Sequence, residues 1–254
     1  STWVPSWWPP TPTWLWSRGL NKKAKEELCP TGDELQATLH NPEYSAYAPK
    51  ISRDAITLVK SLDEGILPLS PEKTKRIMIV PIKGVDNPLM ALAAMAMGGG
   101  MQRKTPAEKL KERLEAKGFE VFIYESPIDK MKAMIARGEK PSLNMYFAGK
   151  HAISDFTSQQ DLVISLFDVM NGHPSFGLSK GGGEIPWYVH ELPVIGISVN
   201  KPTMLADCPM LRTYINAYDS ADYTMDALVD ALISGDFRGS DPIDSFCGMW
   251  DTRI

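Results

Sequence analysis

The chain contains little that would tie it to an extracellular, membrane or nucleic-acid setting. Three cysteines in 254 residues, Cys29, Cys208 and Cys247, are widely spaced and odd in number. They form neither a disulfide framework nor a metal-ligand spacing, so they read as reduced thiols of a cytoplasmic protein. No run reaches the roughly 18 apolar residues of a membrane span. The longest candidate, Pro88 to Met97, ends in Gly98-Gly99-Gly100. Charge of one sign is also missing. The net charge is −4, and lysines and arginines alternate with acids, as in Glu72-Lys73-Thr74-Lys75-Arg76 and Glu108-Lys109-Leu110-Lys111-Glu112-Arg113. Such stretches are solvated mixed faces, and the lack of a basic stripe excludes nucleic acid as the expected partner.

Several chemical signatures are absent too. There is no nucleophile-elbow G-x-S-x-G, no Walker loop and no G-x-G-x-x-G after a strand. Gly98-Gly99-Gly100 follows an Ala- and Met-rich stretch, which makes it a poor phosphate cradle. His151 and His190 have no companion at metal-ligand spacing, so no metal site is assigned. No cofactor is expected either.

Tryptophan and proline are crowded at the start. Five of the seven tryptophans lie between Trp3 and Trp16, among Pro5, Pro9, Pro10 and Pro12. Flat indoles could stack on sugar rings, but prolines at this density resist a packed platform. Residues 1–19 therefore read as a disordered tail.

Beyond Pro49 the pattern turns regular. Ile51, Ala55, Ile56, Leu58 and Val59 follow a helix-like spacing, which predicts a helix leading into Gly65-Ile66-Leu67-Pro68-Leu69. Continuous apolar runs predict buried strands at 76–82, 120–124, 161–167 and 193–199, with a fifth at 213–218. Between them, Thr105-Pro106-Ala107-Glu108 is a capping box with proline at the first helical position. Leu110 and Leu114 then share a face, and Gly118 suits a left-handed stop. A further helix starts at Ser220, places Leu228 and Leu232 one turn apart and ends at Gly235. Buried strands alternating with amphipathic helices predict an α/β fold. Its form would be a doubly wound, mostly parallel sheet with helices on both faces.

The segment Ile51-Ser52-Arg53-Asp54-Ala55-Ile56-Thr57-Leu58-Val59-Lys60, followed by Leu67-Pro68-Leu69 and an apolar strand, resembles the opening of the second domain of glycoside hydrolase family 3. Pro186-Trp187-Tyr188-Val189-His190-Glu191-Leu192-Pro193, then Thr213-Tyr214-Ile215-Asn216-Ala217-Tyr218, is similar to the part carrying that domain's last strands. The tail from Gly239 through Asp251-Thr252-Arg253 resembles its closing segment, and the bacterial β-N-acetylglucosaminidase or β-N-acetylhexosaminidase branch is the nearest. The resemblance runs from about Leu20 to the C-terminus. It implies an interdomain linker over 20–49 and the C-terminal α/β domain over 50–254.

The same resemblance implies a retaining, exo-acting hydrolase of terminal β-linked N-acetylglucosamine or glucose-like sugars. Its aspartate nucleophile would lie on a barrel with no counterpart in this chain, so the chain is expected to be inactive alone and to meet carbohydrate through that barrel. In the N-acetylglucosaminidase branch the acid/base histidine is also on the barrel. In the β-glucosidase branch a glutamate from the second domain serves instead. The corresponding candidate is Glu184, after Gly181-Gly182-Gly183 in the loop from Met170 to Pro186, although a solvated loop glutamate is the favoured reading. Asn171, His173 and Lys180 on the same loop are candidate contacts to sugar hydroxyls. Trp187 could stack on a sugar, but its place before a buried strand favours packing. Two other readings stand beside this one. One is a non-catalytic carbohydrate-binding or assembly module, in which an exposed former domain interface drives self-association. The other is a flavodoxin-like nucleotide or flavin binder, which rests on fold analogy alone.

Overall fold

The computed structural model describes residues 22–23, 32–39, 41–84, 104–125, 134–135, 137–140, 158–170, 174–175 and 192–241. The chain divides into two compact units, Ser1–Tyr47 and Ala48–Ile254. The first contains two short helices, α1 (Gly32–Leu39) and α2 (Pro42–Ser45). Helix α3 (Tyr47–Ala55) leads into the second, which holds strands β1 (Thr57–Ser61), β2 (Arg76–Gly84), β3 (Glu120–Ile123), β4 (Leu162–Asp168), β5 (Pro174–Ser175), β6 (Val194–Ser198) and β7 (Thr213–Asn216). It also holds helices α4 (Pro106–Ala116) and α5 (Asp222–Ser234), and a 3-10 turn at Met204–Ala206.

Six strands lie in the order β1-β7-β6-β4-β2-β3, and β5 pairs with β2 off that path. The β2–β3, β2–β4, β4–β6 and β6–β7 pairs are parallel, whereas β1 runs antiparallel to β7 and β5 antiparallel to β2. The run of β4 is buried from Leu162 to Phe167 and that of β6 from Val194 to Ser198, as strands covered on both faces must be. Alternation splits the apolar set in two. Ile77, Ile79, Leu162, Ile164, Leu166, Ile195, Ile197 and Ile215 belong to the core that includes α4 and α5. Met78, Val80, Ile82, Val163, Phe167 and Tyr214 face the other way, onto Met204, Leu205, Cys208 and Leu211. The result is the expected α/β sandwich, a mostly parallel sheet with helices on both faces.

Helix α4 forms where the capping box directs it. The Thr105 N–H donates to Glu108 Oε2 at 2.7 Å, and the Glu108 N–H donates to Thr105 Oγ1 at 3.3 Å. Leu110 and Leu114 are fully buried, each contributing about 1.5–3 kcal/mol. Gly118 takes φ 95° beyond the helix end, and Gly235 takes φ 74° as the left-handed cap of α5. Helices α4 and α5 are laced together outside the core. Arg113 Nε donates to Asp226 Oδ1 at 2.5 Å, Arg113 Nη2 reaches Asp222 Oδ1 at 3.2 Å and Lys117 reaches Asp230 at 3.2 Å.

Four expectations need correction. The helix predicted across Ile51–Val59 stops at Ala55, and Leu58 and Val59 lie in β1 instead. Apolar residues four apart fit a helical stripe, but pairing with β7 outweighs that local pattern. The strand expected through Tyr218 ends at Asn216, because Tyr218 turns with φ 68° and the Asp219 N–H donates to Ala217 O at 2.9 Å. Helix α5 begins at Asp222 rather than Ser220, with Ala221 at the cap position. Within the expected loop from Met170 to Pro186, the pair Pro174–Ser175 forms β5 against Lys83–Gly84.

Candidate functional site

In a doubly wound sheet the place to look for a ligand is the C-terminal edge of the parallel strands, where the order of connection reverses. From β2 the chain first adds β3 on one side, then crosses back to add β4, β6 and β7 on the other. The reversal therefore falls between β2 and β4.

The strand ends at this edge carry polar residues. Lys83 of β2 is in register with Asp168 of β4, and also with Ser175 of β5. Asp168 is half-buried and Lys83 exposed. After β6, Asn200 turns back so that its Nδ2 donates to Asp168 Oδ1 at 2.5 Å. Beside it, Ser198 Oγ donates to Lys201 O at 2.6 Å, and Asn216 Nδ2 donates to Pro202 O at 3.2 Å. These bonds pin the 200–202 turn onto the ends of β6 and β7. Farther along, the Tyr218 and Thr57 hydroxyls lie 3.0 Å apart, and burial raises the Tyr218 phenol above its ordinary pKa. The edge thus presents a carboxylate, an amide and an ammonium group near the reversal point.

Glu184, Asn171, His173 and Lys180 lie outside the described residues, as do Trp187, His151 and His190. Met170, 76% exposed, is the last described residue before Asn171. Asp168, Asn200 and Lys83 were not singled out from the sequence. The available signal was an acid placed directly after the mostly apolar run Leu162–Phe167 of β4, a position that brings it out at the sheet edge.

Cys208 is buried, and that burial pushes its thiol up to about 12. It is packing material rather than a nucleophile. Among the described residues no cluster of His, Cys, Asp and Glu could hold a metal ion, and no helix is long and apolar enough to cross a membrane.

No family model matches the chain. It is 29% identical over 222 residues to the β-N-acetylglucosaminidase/β-glucosidase of Cellulomonas fimi, a match that takes in 85% of this chain and 35% of that protein. Among solved structures it is similar to the β-glucoside phosphorylase BglX, with a TM-score of 0.64 and 25% identity over 94% of this chain and 38% of that one. BglX bound to 2FGlc gives a TM-score of 0.58 and 28% identity, over 82% of this chain and 32% of that one. The chain thus spans about a third of the length of the relatives it matches. With the sheet described above, these matches support the resemblance to glycoside hydrolase family 3, the chain matching part of larger relatives as that family's C-terminal α/β domain would.

Proposed function

We propose that this chain supplies the C-terminal α/β domain of a retaining, exo-acting enzyme that removes terminal β-linked N-acetylglucosamine or glucose-like sugars. Bond cleavage would be centred on a barrel domain, and the C-terminal edge of the sheet would form part of the sugar-site rim. The observation that supports this reading is the 29% identity over 222 residues to an enzyme named for those two activities. In this reading Asn171, His173 and Lys180 contact sugar hydroxyls, and Glu184 is the residue through which this domain could supply an acid/base.

A segment exchange tests it. The matching part of the Cellulomonas fimi enzyme is replaced by this chain, and hydrolysis of 4-nitrophenyl β-N-acetylglucosaminide and β-glucoside is followed. Because BglX is a phosphorylase, each assay is run with and without inorganic phosphate. The exchanged protein should turn over substrate, while the Cellulomonas fimi enzyme lacking that segment should not. A folded but inactive exchange protein sinks the reading. In the active protein, Glu184→Gln should leave kcat/KM nearly unchanged if the barrel supplies the acid/base. A loss of about 10² or more would place that role on Glu184.

A further inference from the structure

We propose that Gly239 locks the segment 236–241 onto the corner between α3 and β1, and that this lock sets the position of the Tyr218 hydroxyl beyond β7. The coupling is a property of the fold and does not depend on the sugar-handling reading above.

After α5 the chain returns to the start of β1, where the Gly239 N–H donates to Ile56 O at 2.9 Å. A Cβ built on Gly239 would collide with both Ala55 O and Thr57 Oγ1, and would stand 2.7 Å from the Ala55 carbonyl carbon. Two of those three atoms are backbone, which cannot swing aside as the tip of a long side chain can. Only glycine permits so close an approach. Ion pairs continue the same seam on the surface. Arg238 Nη1 lies 3.6 Å from Asp54 Oδ1, and Arg238 Nη2 lies 2.7 Å from Asp236 Oδ2. These pairs are exposed and contribute little alone, so the contact at Gly239 decides where the segment sits.

Thr57 carries the lock to Tyr218. Its hydroxyl donates to Ala55 O at 2.8 Å, which uses its single proton. The Tyr218 hydroxyl, 3.0 Å from Thr57 Oγ1, is therefore the donor in that pair. Tyr218 O–H, Thr57 O–H and Ala55 O form an oriented chain, and its last two oxygens are the two that Gly239 abuts. Tyr218 is the one non-glycine residue among those described with a positive φ, 68°. A bulky side chain keeps that conformation only where its surroundings impose it. Burial holds the Tyr218 phenol above its ordinary pKa, and the charge of Asp241, at the end of the same segment, adds to that. A side chain at position 239 has two ways out. Pushing Thr57 and Ala55 apart breaks the chain in the middle, and lifting the segment carries Asp241 away from Tyr218. Both disturb the tyrosine.

A double-mutant cycle on the full chain tests the coupling. Tyr218→Phe should raise the unfolding equilibrium constant about five-fold in the wild-type background, and less than about two-fold in the Gly239→Ala background, where its bond is already lost. Equal effects in the two backgrounds overturn the proposal. A reciprocal measurement serves if Gly239→Ala does not fold. Tyr218→Phe alone should speed hydrogen exchange of the Gly239 amide by about five-fold, followed by two-dimensional NMR of the isotope-labelled chain. Unchanged exchange at Gly239 in the folded Tyr218→Phe protein also overturns it.

Discussion

Arg76 and Asp161 meet where β2 and β4 begin: Arg76 Nη2 donates to Asp161 Oδ1 at 2.6 Å, while the backbone N–H groups of Arg76 and Lys75 donate to Oδ2 at 2.9 and 3.1 Å. One carboxylate therefore aligns the starts of the two strands with the most extensive pairing. The Arg76 side chain first, and then the Arg76 N–H, hold the Asp161 carboxyl below the usual range.

That depression fixes the sign of a pH dependence. The unfolded chain binds the Asp161 proton more readily than the folded chain, so this stabilisation is complete above the unfolded value of about 3.9. It fades as pH falls through the lower folded value. Urea unfolding of Asp161→Asn should show a loss on the order of 1–2 kcal/mol at neutral pH. The gap from wild type should narrow at low pH. A gap that stays constant down to pH about 2 would show that the effect is steric rather than electrostatic.

Gly196 is fixed by contact rather than by backbone angle. A Cβ built there would stand 2.7 Å from both Leu211 Cδ1 and Tyr214 Cδ2, in the middle of a fully buried strand. Gly196→Ala should overpack this face by about 1–3 kcal/mol, lowering the denaturation midpoint with little change in slope. A variant as stable as wild type would mean that the Tyr214 ring can move aside.

Helix α4 depends on Thr105 in a way that a conservative replacement can test. Thr105→Ala removes the acceptor for the Glu108 N–H and should cost about 1 kcal/mol. Thr105→Ser should recover most of that loss. Amide exchange in the first turn of α4 should rise in the alanine variant alone. Equal protection in all three proteins would show that the cap contributes nothing measurable.

The parts legible in the sequence were those where local pattern and tertiary environment agree. β2, β4 and β6 are read from short apolar runs because they lie inside a parallel sheet covered on both faces, whereas β3, read the same way, is an edge strand with Phe122 exposed. The capping box of α4 is legible because its bonds span only three residues. β1 was misread because Ala55, Ile56, Leu58 and Val59 satisfy a helical stripe, and only β7, distant in sequence, makes Thr57–Ser61 a strand. β5 has two residues and owes its form to β2. The Asp168–Asn200 pair matches no motif, since 32 positions separate its members and the sheet alone brings them together.

The antiparallel pairing of β1 with β7 also governs how the domain is made. β1 leaves the ribosome roughly 150 residues before its hydrogen-bonding partner, and at about 5–20 residues per second that interval is on the order of 10–30 s. Throughout it the nascent chain holds a strand with nothing beside it, while the parallel core is being assembled from later material. This edge of the sheet therefore closes only once β7 has emerged, and until then β1 is open to mispairing.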